Sequence, residues 1–186
     1  MYRGVTLYAQ QHGLLENKKL KTEILLSQLD DIHLRFEGDT FWLNGVDVSA
    51  EIRSMQVSEA VSLVAAIPEV RTFLVAQQRI MGANQSVVMD GRDIGTVVFP
   101  KADLKLFLTA DVNIRAQRRF DELSAQNAST SVEEVRNNLA ERDHLDSTRA
   151  DSPLVQAADA VPLDATQFTI ESMREHVLDL VAEYLN

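Results

Sequence analysis

Arginine and aspartate, gathered in three short segments, are the residues here whose spacing suits chemistry. Asp90-Gly91-Arg92-Asp93-Ile94-Gly95 packs two carboxylates, one guanidinium and two glycines into six positions. A bare Asp-Gly turn is a common surface feature, but the added Arg92 and Asp93 make it a candidate binding loop. Arg115, Arg118 and Arg119 are three or four residues apart on an expected helix, so they share a face. Like charges at that spacing repel, and an anionic ligand would offset the repulsion; a solvated basic face is the plain alternative. Arg142, Asp146 and Arg149 repeat the idea at spacings of four and three. There Asp146 is placed to pair with either Arg as an ordinary surface ion pair, worth little.

The type of cation narrows the chemistry. Of 18 basic residues, thirteen are Arg and five Lys, the last of them Lys105. A planar guanidinium fork matches phosphate oxygens, whereas an ammonium is a point charge. The chain is acidic overall, with a formal net charge of -10 and no basic stripe, which argues against a nucleic-acid partner. His12, His33, His144 and His176 show no ligand spacing, and no nucleophile-elbow pattern occurs. With no cysteine there is neither a disulfide framework nor a thiolate metal site, which fits a cytoplasmic protein. No apolar run approaches 18 residues, and the first residues lack a signal-peptide pattern, so no membrane association is expected.

The elements that must position these groups follow from periodicity. Tyr2 to Gln11 and Leu20 to Leu29 read as short helices. Ile32, Leu34 and Phe36 then alternate, Glu37-Gly38-Asp39 turns the chain, Phe41 and Leu43 alternate, and Asn44-Gly45 is a tight-turn signal before Val46 and Val48. A three-stranded antiparallel meander from Ile32 to Ser49 is expected. Helical patterns resume at Ser58, and Pro68 suits the first turn of a further helix carrying Val70, Phe73, Leu74 and Ile80. Ser86 to Met89, Leu104 to Leu108 and Val161 to Leu163 are short apolar runs, read as buried strands of a parallel sheet. Asp111 is a cap for a helix from Val112 to about Gln126. Ser131-x-x-Glu134 is a capping box for a helix to about Asp146. Ile170, Met173, Val177, Leu180, Val181 and Tyr184 form the stripe of a closing helix. The fold class is α/β, a parallel core with a small antiparallel insertion. Ligands of such sheets bind at the carboxyl ends of the strands, where Asp90–Asp93 is expected.

Taken together, these segments resemble the bacterial cytidylate kinase family along essentially the whole chain. The resemblance rests on Tyr2-Arg3, Val48-Ser49-Ala50-Glu51-Ile52-Arg53, Ser62 through Val70-Arg71, Asp90-Gly91-Arg92-Asp93-Ile94-Gly95-Thr96-Val97-Val98-Phe99-Pro100, Arg118-Arg119, Glu141-Arg142-Asp143, Asp146-x-x-Arg149, and Pro153-Leu154-Val155 to Asp159-Ala160. It implies a P-loop-kinase-like parallel core flanked by helices, in one domain over 1–186. A monophosphate-binding insertion would occupy 29–68 and a helical lid about 113–148. It implies transfer of the γ-phosphoryl of ATP to CMP or dCMP with Mg2+, by a monomer. By position, Ser62, Arg71 and Asp93 match the residues that read cytosine, and Arg142 and Asp146 the sugar contacts. Arg3, Arg92 and Arg149 match groups around the monophosphate, and Arg118 and Arg119 the lid arginines over the transferring phosphoryl. Arg92, Arg118, Arg119 and Arg149 would then carry catalysis, with Arg118 and Arg119 also facing ATP; no metal ligand is identified. These groups are expected to converge on one cytosine nucleotide.

The family also opens with a strand, a Gly-rich phosphate loop with Lys, and a helix, a unit of about thirty residues. No G-x-x-x-x-G-K-[ST] run occurs in the sequence, and Met1-Tyr2-Arg3 resembles the interior of a Ser-Gly-x-x-Tyr-Arg segment that follows that unit. A missing central strand, poor stability and absent turnover are therefore expected of this chain. The alternatives are a non-catalytic CMP-binding short form and a related UMP or AMP kinase.

Overall fold

The computed structural model describes residues 1–83, 85–125 and 130–185. Chain packing divides them into two compact units. The first comprises Met1–Val88 with Arg149–Asp151, the second Met89–Thr148 with Ser152 onward.

The first unit is built on an apolar core that includes Val5, Leu25, Ile32, Val57, Val64, Val70 and Leu74, each almost wholly removed from water. Helix α1 (Tyr2–Gln11) buries every residue from Gly4 to Ala9. Gly4 lets it approach the neighbouring sheet closely, since a Cβ there would sit 2.7 Å from the ring of Phe41. A two-strand hairpin follows, β1 (Leu15–Glu16) with β2 (Lys19–Leu20), whose turn holds Asn17 and Lys18 at positive φ. This hairpin replaces the start of the second expected helix. Helix α2 is confined to Thr22–Ser27, because Leu20 is taken up by strand pairing.

The meander forms as its alternation predicts: β3 (Leu34–Glu37), β4 (Thr40–Leu43) and β5 (Val46–Asp47), all antiparallel. Leu43 faces Val46 across Asn44-Gly45, both at positive φ, the conformation that this dipeptide favours in two-residue hairpins. Helix α3 (Met55–Ala65) begins three residues before the expected Ser58, because the Ser54 hydroxyl accepts from the Val57 amide and caps it. Helix α4 (Pro68–Gly82) starts on Pro68 as expected.

The second unit contains two parallel strands, β6 (Leu106–Thr109) and β7 (Val161–Asp164), in register Leu106 with Val161 through Thr109 with Asp164. Their long connection holds α5 (Val112–Ala125) and α6 (Val132–Thr148). Asp111 caps α5 through the amides of Asn113 and Ile114. The expected end of α5 at Gln126 lies outside the described residues. The capping box of α6 is present in both directions: Glu134 N–H donates to Ser131 Oγ and Ser131 N–H to Glu134 Oε2. Helix α7 (Ile170–Leu185) half-buries Met173, Val177, Leu180 and Val181 but leaves Ile170 and Tyr184 of the expected stripe exposed.

No strand forms over Ser86–Met89, contrary to expectation, and Val88 is fully exposed. Among the described residues no neighbouring strand takes up its backbone groups, and without such pairing a Val-rich run stays irregular. Asp90–Asp93 therefore follows an irregular run rather than a strand. After it, Ile94–Val98 forms one wide helical turn with i→i+5 bonds: Val98 N–H donates to Asp93 O and Phe99 N–H to Ile94 O.

Candidate functional site

In the first unit, the expected site residues sit on helices fixed by the core. Arg3 on α1 donates from Nη1 to the Ile52 carbonyl at 2.8 Å and to Ser58 Oγ at 2.9 Å. That ties α1 to the 51–53 turn and to α3. Ser62 is buried on α3. Arg71 is buried on α4, donates from Nη1 to the Ala65 carbonyl at 3.2 Å, and lies with its guanidinium carbon 5.4 Å from the ring centre of Tyr2. Its Nε is 3.8 Å from Asp151 Oδ2, in the segment that also carries half-buried Arg149. A buried guanidinium needs such counter-charges and π faces to offset lost hydration.

In the second unit, Asp93 is buried and Arg92 is half exposed. Arg92 Nε donates to Asp146 Oδ2 at 2.9 Å. Asp146 is only 3% exposed, so it is not the solvated surface carboxylate that its helical spacing suggested. Arg92 lies 54 residues away in sequence and reaches it because α6 turns this carboxylate inward toward the Asp90–Asp93 loop. Arg115 donates from Nη2 to Asp143 Oδ2 at 2.6 Å and from Nε to the Ala110 carbonyl, linking α5 to α6. Arg119 pairs with Glu122 at 2.7 Å. Arg118 donates to the carbonyls of Ala165, Thr166 and Phe168, between β7 and α7. The three arginines of α5 therefore do not repel unrelieved; each has its own acceptors.

Arg142 differs. Its Nε is buried with no hydrogen-bond partner. Burial is the largest influence holding its guanidinium below the ordinary arginine range, Arg92 adds to it, Asp146 and Asp143 oppose it, and Arg119 adds slightly. Arginine stays charged even so. The direction follows chiefly from lost hydration, with Arg92 and Arg119 disfavouring the cation and Asp146 and Asp143 favouring it. An anion accepting from Arg142 Nε would replace part of that lost hydration. Three forks with one unused buried donor suit phosphate or sugar oxygens.

Sequence reasoning did not foresee three further contacts: Arg115–Asp143, Arg119–Glu122 and Lys105–Asp159. The signal for the last was a single Lys inside the apolar run Leu104–Leu108. Among the described residues, no group of three or more His, Asp or Glu side chains is arranged to hold a metal ion. No helix among them is long and apolar enough to cross a membrane.

Comparison with known proteins gives the family of the chain. The family model described as cytidylate kinase matches residues 1–183. A cytidylate kinase of Parabacteroides distasonis is 50% identical over 186 residues, covering 96% of this chain and 81% of that protein. One of Bacteroides fragilis is 47% identical, covering 99% and 82%, and one of Flavobacterium psychrophilum 46%, covering 97% and 83%. With a family match over nearly every residue and relatives at this identity, the chain belongs to the cytidylate kinase family.

Proposed function

We propose that the chain binds CMP or dCMP as acceptor in an ATP-dependent phosphoryl transfer that gives CDP or dCDP and ADP. The observation that carries the reading is the cluster of Arg92, Asp146 and Arg142, where a buried guanidinium donor stands unused beside like charge. The site-residue assignments extend the resemblance position by position. Asp93 accepts from the exocyclic amino group of cytosine, as carboxylates do elsewhere. Arg71 and Ser62 donate to the ring acceptors. Uracil would set an acceptor against Asp93, and an unpaired buried polar group is costly, so cytosine is preferred. Arg142 and Asp146 hold the sugar; Arg3, Arg92 and Arg149 hold the monophosphate.

The attacking oxygen belongs to an anionic phosphate, so no strong general base is required. Positioning and charge neutralisation supply most of the catalysis. Arg118 and Arg119 are the lid cations; to reach a phosphoryl group they exchange their present acceptors, the carbonyls of 165–168 and Glu122, for phosphate oxygens. Magnesium would be held chiefly by the nucleotide phosphates and water, since no group of three or more acidic or histidine side chains gathers among the described residues, and no step is assigned to it. The chain is taken to act as a cytoplasmic monomer.

The sequence contains no G-x-x-x-x-G-K-[ST] run, the loop whose amides and Lys cradle ATP phosphates. That favours a second reading for these 186 residues taken alone: CMP binding with little turnover. Release of ADP is to be measured with CMP, dCMP, UMP and AMP, for this chain and for a version carrying such a loop ahead of Met1. The extended form should turn over CMP and dCMP best, and the 186-residue chain far more slowly. Preference for UMP or AMP overturns the substrate assignment, and equal turnover by the two forms overturns the second reading.

A further inference from the structure

We propose that Lys105 is a positioning residue for Arg92 and Asp93, the pivot that fixes the wide turn on which cytosine discrimination depends. The inference rests on the CMP reading above. Lys105 stands immediately before β6 and is 8% exposed. An ammonium has three donors, and here three acceptors meet it: the Pro100 carbonyl at 2.7 Å, and Asp159 Oδ1 and Oδ2 at 2.8 and 2.7 Å. A leucine would fill the space with no charge to desolvate, so the ammonium's role lies in the polar ends it joins.

Those ends belong to the binding loop. The turn starts at Asp93, whose carbonyl accepts from Val97 N–H at 2.8 Å and Val98 N–H at 3.2 Å. It closes with Phe99 N–H on the Ile94 carbonyl at 2.7 Å, and the next carbonyl, Pro100, is the one Lys105 holds. The middle of the turn lies on the same side chain. A Cβ at Gly95 would stand 3.1 Å from Lys105 Cδ, so the glycine lets the turn rest on the lysine stem. The lysine carbonyl also accepts from Val161 N–H at 2.9 Å, where β7 begins beside β6. One residue thereby joins the strand pair, the middle of the turn and its exit. Asp93 and Arg92 are the two side chains at the entrance.

Lys105→Met keeps the stem and removes the ammonium. Amide exchange of Val97, Val98 and Phe99 should then quicken about tenfold relative to α6, the size expected for one charge-assisted hydrogen bond. By calorimetry, CMP affinity should fall about tenfold while UMP affinity falls less, so the CMP-over-UMP ratio drops. A merely structural lysine would weaken both nucleotides alike and leave the ratio unchanged; that result, or unchanged exchange in 97–99, overturns the inference. If Lys105→Met does not fold, Asp159→Asn should move exchange and ratio in the same direction by a smaller factor, and no movement overturns it. Failure of the wild-type chain to bind CMP counts against the CMP reading, and the exchange measurement then decides the role of Lys105 by itself.

Discussion

Asp146 and Asp93 are both carboxylates removed from water, yet they are asked to do opposite things. Asp146 is already engaged by Arg92 and orients a cation, while Asp93 is assigned the recognition of a neutral amino group. Asp146→Asn should cost about 1–3 kcal/mol of stability, since the neutral amide cannot hold Arg92 by charge; the exposure of Arg92 keeps the loss at the lower end. Thermal melting checks this. CMP affinity should fall with it, because Arg92 loses its fixed position. Asp93→Asn should act on selectivity instead. The new amide can donate to uracil, so the CMP-over-UMP binding ratio should fall by about 100-fold. Arg92, Asp93, Arg142 and Asp146 were all visible in the sequence as candidates. The bond from Arg92 to Asp146 was not, because helix spacing reports neighbours within three or four residues, whereas Arg92 comes from a loop 54 positions away.

Among the elements, those whose signals are local were legible. The capping box at Ser131, the cap at Asp111, Pro68 and the Asn44-Gly45 turn each fixed an end or a register, and each is present. The failures arise where pairing with distant chain decides. Leu20 joined a hairpin whose positive-φ turn residues, Asn17 and Lys18, carry no glycine signal. Ser86–Met89 has strand composition but gained no partner strand. Capping makes a quantitative prediction. Ser131→Ala should destabilise by about 1 kcal/mol in urea unfolding, as loss of a helix cap does. Glu134 adds a pH dependence. The Ser131 N–H, then the Ser131 and Thr130 hydroxyls, hold its carboxyl below the usual range. A depressed folded pKa contributes stability above the unfolded value of about 4.3 and loses it as pH falls through the folded one. Glu134→Gln should therefore be less stable than wild type at neutral pH, and the two should converge in acid.

At the scale of the whole molecule, the two units rest on unequal cores. The first buries an apolar cluster that includes residues from Val5 to Leu74, whereas the second buries fewer apolar side chains, among them Val98, Ala116, Leu123, Val135 and Leu163, and adds ion pairs and a two-strand sheet. Leu74→Ala, at a position with no exposure, should cost about 2–5 kcal/mol, read from the urea midpoint. Added salt should weaken the second unit more than the first, because partly exposed pairs are screened while apolar burial is not. The acidic net charge of -10 makes the arginine cluster a local exception, so anionic ligands must be drawn by that cluster rather than by the molecule's overall field. What that cluster grips decides the substrate. Calorimetric titration of the 186-residue chain with CMP, and with UMP under the same conditions, is the direct measurement. Saturable one-to-one binding of CMP, at least about tenfold tighter than UMP, is the predicted result. No CMP binding, or equal affinity for UMP, contradicts it.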